Sequence, residues 1–256
     1  MAEIAFFQLT DVGCVRETNE DAVGHWPHED GLLFAVADGV GGENAGEIAS
    51  ALALEVIARE MERAPGNWAV GKRLRRAIQE ANLEIYNKAI TVPELRRMAT
   101  TLTATAIVGG SLFAAHVGDC RLFLFRDRRL TQLTKDHTWV WEQVQYGLLS
   151  PDAARTHPRR HVLTRCLGAE LIVGIDNLTL DLRPGDVVLQ MSDGVHGLVG
   201  EAEIADLLAA HPPEAAARAL VRRGREEGGE DNLSIQIAAV VDCPPPATRS
   251  WWKLGR

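Results

Sequence analysis

The chain has 256 residues, 46% hydrophobic and 24% charged, a globular composition that excludes wholesale disorder. Lys+Arg 27 against Asp+Glu 35 gives a net charge of −8, so the chain as a whole offers no electrostatic footprint for nucleic acid, whereas its carboxylates could serve a cation. Cys14, Cys120, Cys166 and Cys243 are scattered without Cys-x-x-Cys spacing, which argues against a zinc ribbon or disulfide scaffold and points to a reducing compartment.

Met1 to Val12 lacks the basic region and long apolar run of a signal peptide. Ile4–Leu9 reads as a first strand, and Leu32–Ala37 as a second after a turn around Glu29-Asp30-Gly31. From Glu43 to Arg63 the positions Ile48, Leu52, Val56 and Met61 recur at the helical period, and Pro65-Gly66 ends that helix. Trp68 to Ile90 makes a second helix, with Leu74, Ile78, Leu83 and Ile85 apolar. The uncharged stretch between Arg97 and Asp119 is long enough for a membrane span, but its four Thr, a Ser, a His and the central Gly109-Gly110 argue for strands instead. Thr101–Val108 alternates, and Gly109-Gly110 turns it into Ser111–Val117. Arg121–Phe125 and Leu130–Leu133 form another hairpin around Asp127–Arg129. Thr138 to Gly168, with a short helix at Trp139–Tyr146, two prolines and a cluster of Arg and His, reads as an insertion over the sheet. Strands resume at Leu178–Leu182 and Val187–Met191, helices follow at Glu201–Ala210 and Pro213–Arg225, and Leu233–Val241 closes the pattern. This order is no βαβ alternation; it suits antiparallel sheets covered by helices, an α+β layered domain.

The informative feature is where aspartates fall. Asp38, Asp119, Asp193 and Asp231 each stand at the end or start of an apolar strand with glycine close by. Glycine permits positive φ and close backbone approach, so carbonyl and carboxylate can face one point. Converging carboxylates repel unless a cation neutralises them, and oxygen-only donors favour Mg²⁺ or Mn²⁺ over zinc. In the preceding cluster Arg16-Glu17-Thr18-Asn19-Glu20-Asp21, Arg16 could grip a phosphate bidentately while Glu20 orders a water on a cation.

At this point the residues resemble a family. Gly13-Cys14-Val15-Arg16-Glu17-Thr18-Asn19-Glu20-Asp21 and Phe34-Ala35-Val36-Ala37-Asp38-Gly39-Val40-Gly41-Gly42 look like the first two motifs of the metal-dependent protein phosphatase 2C family, the second in its bacterial form. Met98-Ala99-Thr100-Thr101-Leu102-Thr103-Ala104, His116-Val117-Gly118-Asp119-Cys120-Arg121, Leu133-Thr134-Lys135-Asp136-His137, Ser192-Asp193-Gly194 and Asp231-Asn232-Leu233-Ser234 follow in the family's order. Together they cover roughly residues 8–241.

The resemblance implies a four-layer α/β/β/α sandwich, two antiparallel sheets flanked by helix pairs, within a catalytic domain at 1–243 followed by a tail at 244–256. It also implies a serine/threonine phosphoprotein phosphatase, with a water activated at a binuclear Mn²⁺ or Mg²⁺ centre and no protein nucleophile. Carried over by residue, Asp38 bridges the metals with the Gly39 carbonyl on one of them, and Asp193 and Asp231 complete the other. Glu20 and Asp21 act through water, Asp119 with Asp193 forms a third-metal site, and Arg16 binds phosphate. Ala99 replaces the family's glycine. Val40 stands where animal-type members carry a histidine, which leaves the proton donor open among His116, His137, His161 and His196. The segment 138–168 corresponds to a flap whose Arg160 and His161 reach substrate. Expected partners are phosphorylated proteins, the targets of Ser/Thr kinases in signalling. No nucleic acid, no membrane span, a cytoplasmic location and a monomer complete the expectation. A non-catalytic phosphoprotein-binding relative and a phosphatase of small molecules stand as alternatives. A serine nucleophile is excluded by the lack of a Gly-x-Ser-x-Gly elbow.

Overall fold

Strand β3 (Gly31–Val40), a continuous apolar run, sends alternate side chains to two layers. Leu33, Ala35 and Ala37 point to one face and join a core with the first helix pair, α1 (Ala45–Arg63) and α2 (Val70–Thr91). Leu32 and Phe34 point the other way, into a core shared with the opposite sheet. The computed structural model describes residues 2–28, 31–41 and 45–244. Glu29 and Asp30 of the expected turn, Gly42, Glu43 and the Trp251-Trp252-Lys253 tail lie outside the described residues.

One antiparallel sheet runs β2 (Asp21–His28), β3, β5 (Leu102–Val108), β6 (Ser111–Val117) and β9 (Asp176–Asp181), with β4 (Ala99–Thr100) paired to the end of β3. The other runs β1 (Glu3–Asp11), β11 (Leu233–Asp242), β10 (Val187–Met191), β7 (Arg121–Arg126) and β8 (Arg129–Gln132). Helices α6 (Glu201–Ala210) and α7 (Pro213–Glu226) cover the second sheet, burying Ile204, Leu220 and Val221 against Leu189, Met191 and Ile235. This is the expected α/β/β/α order. The β7–β8 turn is made by Asp127 and Arg128, both at positive φ (52° and 61°), the twist that a two-residue hairpin needs. Among the described residues no helix is long and apolar enough to cross a membrane.

A strand and two short helices are among the elements that were not foreseen. Strand β2 contains Gly24 and Pro27, which disguise it; it is tolerated because it lies at a sheet edge, where a missing ladder donor costs little. Helices α4 (Pro151–Arg155) and α5 (Asp193–His196) are too short to show a period; α3 (Trp139–Gln145), the expected short helix, ends one residue early. Leu83, expected on the buried face of α2, is exposed, and the seam there runs through Ala81 and Ile85.

The layer between the sheets changes character along its length. At one end Phe34, Ile107, Leu112, Leu122, Val188 and Ala238 form an apolar core. Next comes a chain of buried amides. Thr105 Oγ1 donates to Gln190 Oε1 (2.8 Å), Gln190 Nε2 to Gln236 Oε1 (2.6 Å), and Gln236 Nε2 to Gln8 Oε1 (2.8 Å) and the Gly24 carbonyl (2.9 Å). At the far end the same face of β3 carries Asp38, and the β2–β3 register sets Asp21 directly opposite it.

Candidate metal centre and its cleft

Asp38 lies in the last turn of pleat of β3, and its backbone is fixed before its carboxylate does anything. Asp38 N donates to Thr101 Oγ1 (3.0 Å), while Thr101 N and Thr100 Oγ1 donate to the Asp38 carbonyl (both 2.8 Å). The paired threonines thus clamp the strand end. Asp21 is held by Ser192 Oγ (2.7 Å), and that hydroxyl accepts from Ser234 N (3.1 Å), so both sheets meet at one carboxyl.

The loop carrying Arg16 and Glu20 is organised by Asn232. Its Nδ2 donates to the carbonyls of Val12 (2.9 Å) and Thr18 (3.0 Å), and its Oδ1 accepts from Glu20 N (2.8 Å). The glycines beside the aspartates divide the two expected tasks between them. Positive φ occurs at Gly118 (109°), which turns the chain into Asp119. Gly194 is needed for space, because a Cβ there would stand 2.0 Å from the Asn232 carbonyl oxygen.

Arg16, Glu20, Asp38, Gly39, Asp119, Arg160, His161, Asp193 and Asp231 all line one cleft of 530 Å³. Asp21 sits just beneath it, nearly buried. Of the expected site residues, then, none is scattered elsewhere. Val40, Leu163, Leu198 and Glu230 also line the cleft, and nothing in the sequence pattern had singled out the last three. Of the four candidate histidines His161 lines the cleft; its Nδ1 lies 3.3 Å from Asp193 Oδ2. His116 and His137 stack on each other between Thr103 and Asp176, and His196 Nε2 meets the Asp119 carbonyl.

The electrostatics report a shortage of positive charge. Burial, then repulsion from Asp21, Asp193 and Asp119, pushes Asp38 well above the usual carboxylate range. Burial and Asp193 do the same to Asp119. Asp21 is pushed up to about 7, chiefly by burial against the softening hydrogen bonds of Ser234 and Ser192. Glu20 is raised, again mainly by burial. Burial would raise Asp193 too, yet the His161 hydrogen bond, His196 and a hydrogen bond from Asp38 hold it low. Asp38 is thus pushed up and Asp193 held down within one pair of neighbouring carboxyls. Arg16 is bonded to Asp231 (2.9 Å) and stands 3.9 Å from Glu20.

Among the described residues no three His, Cys, Asp or Glu side chains close to the spacing of a metal ion's ligands. Asp231 is turned to Arg16. The donor set nevertheless fits a hard cation: several carboxylate oxygens, a backbone carbonyl at Gly39, no sulfur, and a protonation burden that a divalent charge would remove.

The profile of the Protein phosphatase 2C family matches residues 14–236. The chain belongs to the protein phosphatase 2C family. It is 36% identical over 234 residues to the serine/threonine protein phosphatase PstP of Mycobacterium tuberculosis, covering 91% of this chain and 44% of that one, so it spans less than half of that relative's length. It is 34% identical over 233 residues to the serine/threonine phosphatase stp of Listeria monocytogenes, covering 89% of this chain and 92% of that protein. The crystal structure of the PstP catalytic domain in complex with two manganese ions superposes with a TM-score of 0.82, at 34% identity, over 93% of this chain and 99% of that one. The family's sandwich, read from motif order, is the fold described above.

Proposed function

We propose that this protein is a metal-dependent phosphatase of phosphoserine and phosphothreonine in proteins, built as one catalytic domain within residues 1–243 with 138–168 as its flap. The observation that carries this is the convergence of Asp38, Asp119, Asp193 and Asp231 with Arg16 on one cleft, in a chain of the protein phosphatase 2C family. Both relatives described above carry the name of serine/threonine phosphatases.

Asp38, the Gly39 carbonyl, Asp193 and Asp231 would hold two Mn²⁺ or Mg²⁺ ions, Glu20 and Asp21 would act on them through water, and Asp119 with Asp193 would hold a third. Bound there, such cations supply Lewis-acid charge for the phosphoryl oxygens and acidify water. The chain's own residues do the rest. Asp21, directly opposite Asp38 in the β2–β3 register, is held in place by the Ser192 hydroxyl. Arg16, 46% exposed at its side chain, exchanges its bond to Asp231 for the phosphate, whose two oxygens suit a guanidinium fork. Arg160 and His161, on the cleft's flap side, meet the polypeptide flanking the phosphorylated residue. Val40 has no proton to give, so the leaving serine or threonine oxygen takes its proton from another source.

Hydrolysis of a phosphothreonine peptide and of an aryl phosphate, measured before chelation, after it and after Mn²⁺ is returned, tests this reading. Chelation should abolish both activities and Mn²⁺ should restore them. Full activity after exhaustive chelation would overturn it.

A further inference from the structure

Strands β7 and β10 pair antiparallel as far as Arg121 opposite Met191. Continued by one more step on the same face, that register would set Asp119 opposite Asp193. The ladder does not continue. Gly118 at a φ of 109° swings the chain away on one side, and α5 begins at Asp193 on the other. Two carboxylates are left side by side at the end of a ladder, with no backbone rung between them and mutual repulsion to separate them.

His196 lies three residues after Asp193 on α5, on the same side of that helical turn. Its Nε2 stands 3.0 Å from the Asp119 carbonyl oxygen, which can only accept, so Nε2 carries the hydrogen. Among the described residues this is the hydrogen bond that ties α5 to the Asp119 turn. The far side of the turn is fixed by His137, whose Nδ1 accepts from Gly118 N (3.0 Å) and whose backbone N donates to the Gly118 carbonyl (2.7 Å).

We propose that His196 is a positioning residue that replaces the missing rung of the β7–β10 ladder and thereby sets the separation of Asp119 and Asp193, the pair assigned to the third cation, which has one carboxylate of its own and shares the other and is therefore the most weakly held. The inference rests on the metal-dependent reading above. It assigns His196 to no proton transfer; the imidazole reaches a backbone carbonyl and does not line the cleft.

The test is calorimetric titration of Mn²⁺ into chelated and dialysed full-length protein, for the parent, His196→Ala and His196→Gln, with the melting temperature of each metal-free protein. The parent should bind Mn²⁺ in a tight phase and a weaker one. In His196→Ala the weaker phase should lose about tenfold in affinity, the worth of one hydrogen bond, while the tight phase stays. His196→Gln, whose amide nitrogen can stand where Nε2 stood, should restore the weaker phase. Superimposable isotherms for parent and His196→Ala would overturn the inference and leave the phosphatase reading intact. So would equal weakening of both phases together with a lower metal-free melting temperature, or a glutamine variant as weak as the alanine one. A parent that shows the tight phase alone also overturns it, whereas a parent that binds no Mn²⁺ overturns the metal-dependent reading with it.

Discussion

Phe34 and Asp38 lie on the same face of one strand and look across at the same opposing sheet, yet their surroundings are opposites. Around Phe34 the two sheets close on side chains that gain from leaving water. Around Asp38 they close on carboxyls that lose by it, and burial forces protons onto groups that would otherwise be charged. The contrast teaches that one inter-sheet layer supplies both cohesion and a cluster of carboxyls crowded against their own solvation. The amides of Gln190 and Gln236 are the transition between them, fully buried and fully hydrogen-bonded.

The contrast can be broken at either end. Asp38→Asn should produce the largest change: activity falls by at least roughly 10²–10³-fold, while the metal-free protein melts higher, because a neutral amide replaces a crowded carboxyl. Its melting temperature should also cease to rise with Mn²⁺, the sign that binding to the folded state is lost. Phe34→Ala should do the reverse. Truncating a fully buried ring costs about 3–5 kcal/mol, a drop of roughly 10 °C in melting temperature, with turnover near the parent value at temperatures where the variant is folded.

Acidity separates two further regions. Asp21 holds its proton in the folded state up to about 7 and releases it near 3.8 when unfolded, so its contribution is complete below 3.8 and is lost as pH rises through 7. His116 runs the other way. Burial, aided by His137, lowers it from 6.5 to about 4, so the unfolded chain takes up a proton that the folded one refuses, and stability falls as pH drops through that window. The His116 effect is worth roughly 3 kcal/mol when complete. Between pH 4 and 6.5 the two effects therefore oppose each other, and urea unfolding of chelated protein should show only a shallow net pH dependence from this pair. His116→Gln should remove its share of the acid-side loss, beside that of His196, and so make stability fall more steeply as pH rises from 4 to 6.5; a profile unchanged by the substitution would refute the assignment.

The smallest effect sharpens the comparison at the cleft rim. His161→Ala, at an exposed position beside Asp193, should lower kcat/KM on a phosphopeptide about tenfold and leave an aryl phosphate, which is too small to meet the flap, nearly unchanged. Equal losses on both substrates would place His161 in the chemistry instead.

Much of this was legible in the sequence because strong signals coincide. β5 announces itself by alternation, β3 by its apolar run, β6 by the Gly109-Gly110 turn before it, and the aspartates by their place at strand ends. What stayed hidden is instructive. β2 escapes notice because an edge strand can carry Pro27 and Gly24, so the one residue that faces Asp38 in register had no visible strand to sit on. Asn232 and Ser192 were visible as letters within motifs, but their work is done through partners 212 and 171 residues away, and spacing cannot report that. Leu163, Leu198 and Glu230 reach the cleft only through the folding of the loops that carry them.

Strand β11 lies between β1 and β10, so β1 has no partner in its sheet until β11 is in place. Asn232, at the head of β11, shapes the loop that presents Arg16 and Glu20. On a translating ribosome this order of synthesis acts as a timer. At about 5–20 residues per second, roughly 10–50 s pass between the emergence of the Arg16 loop and that of the strand that gives it form. By the end of that interval the nascent chain carries Arg16 and three of the four strand-end aspartates, while the loop that bears Arg16 still lacks the amide that shapes it.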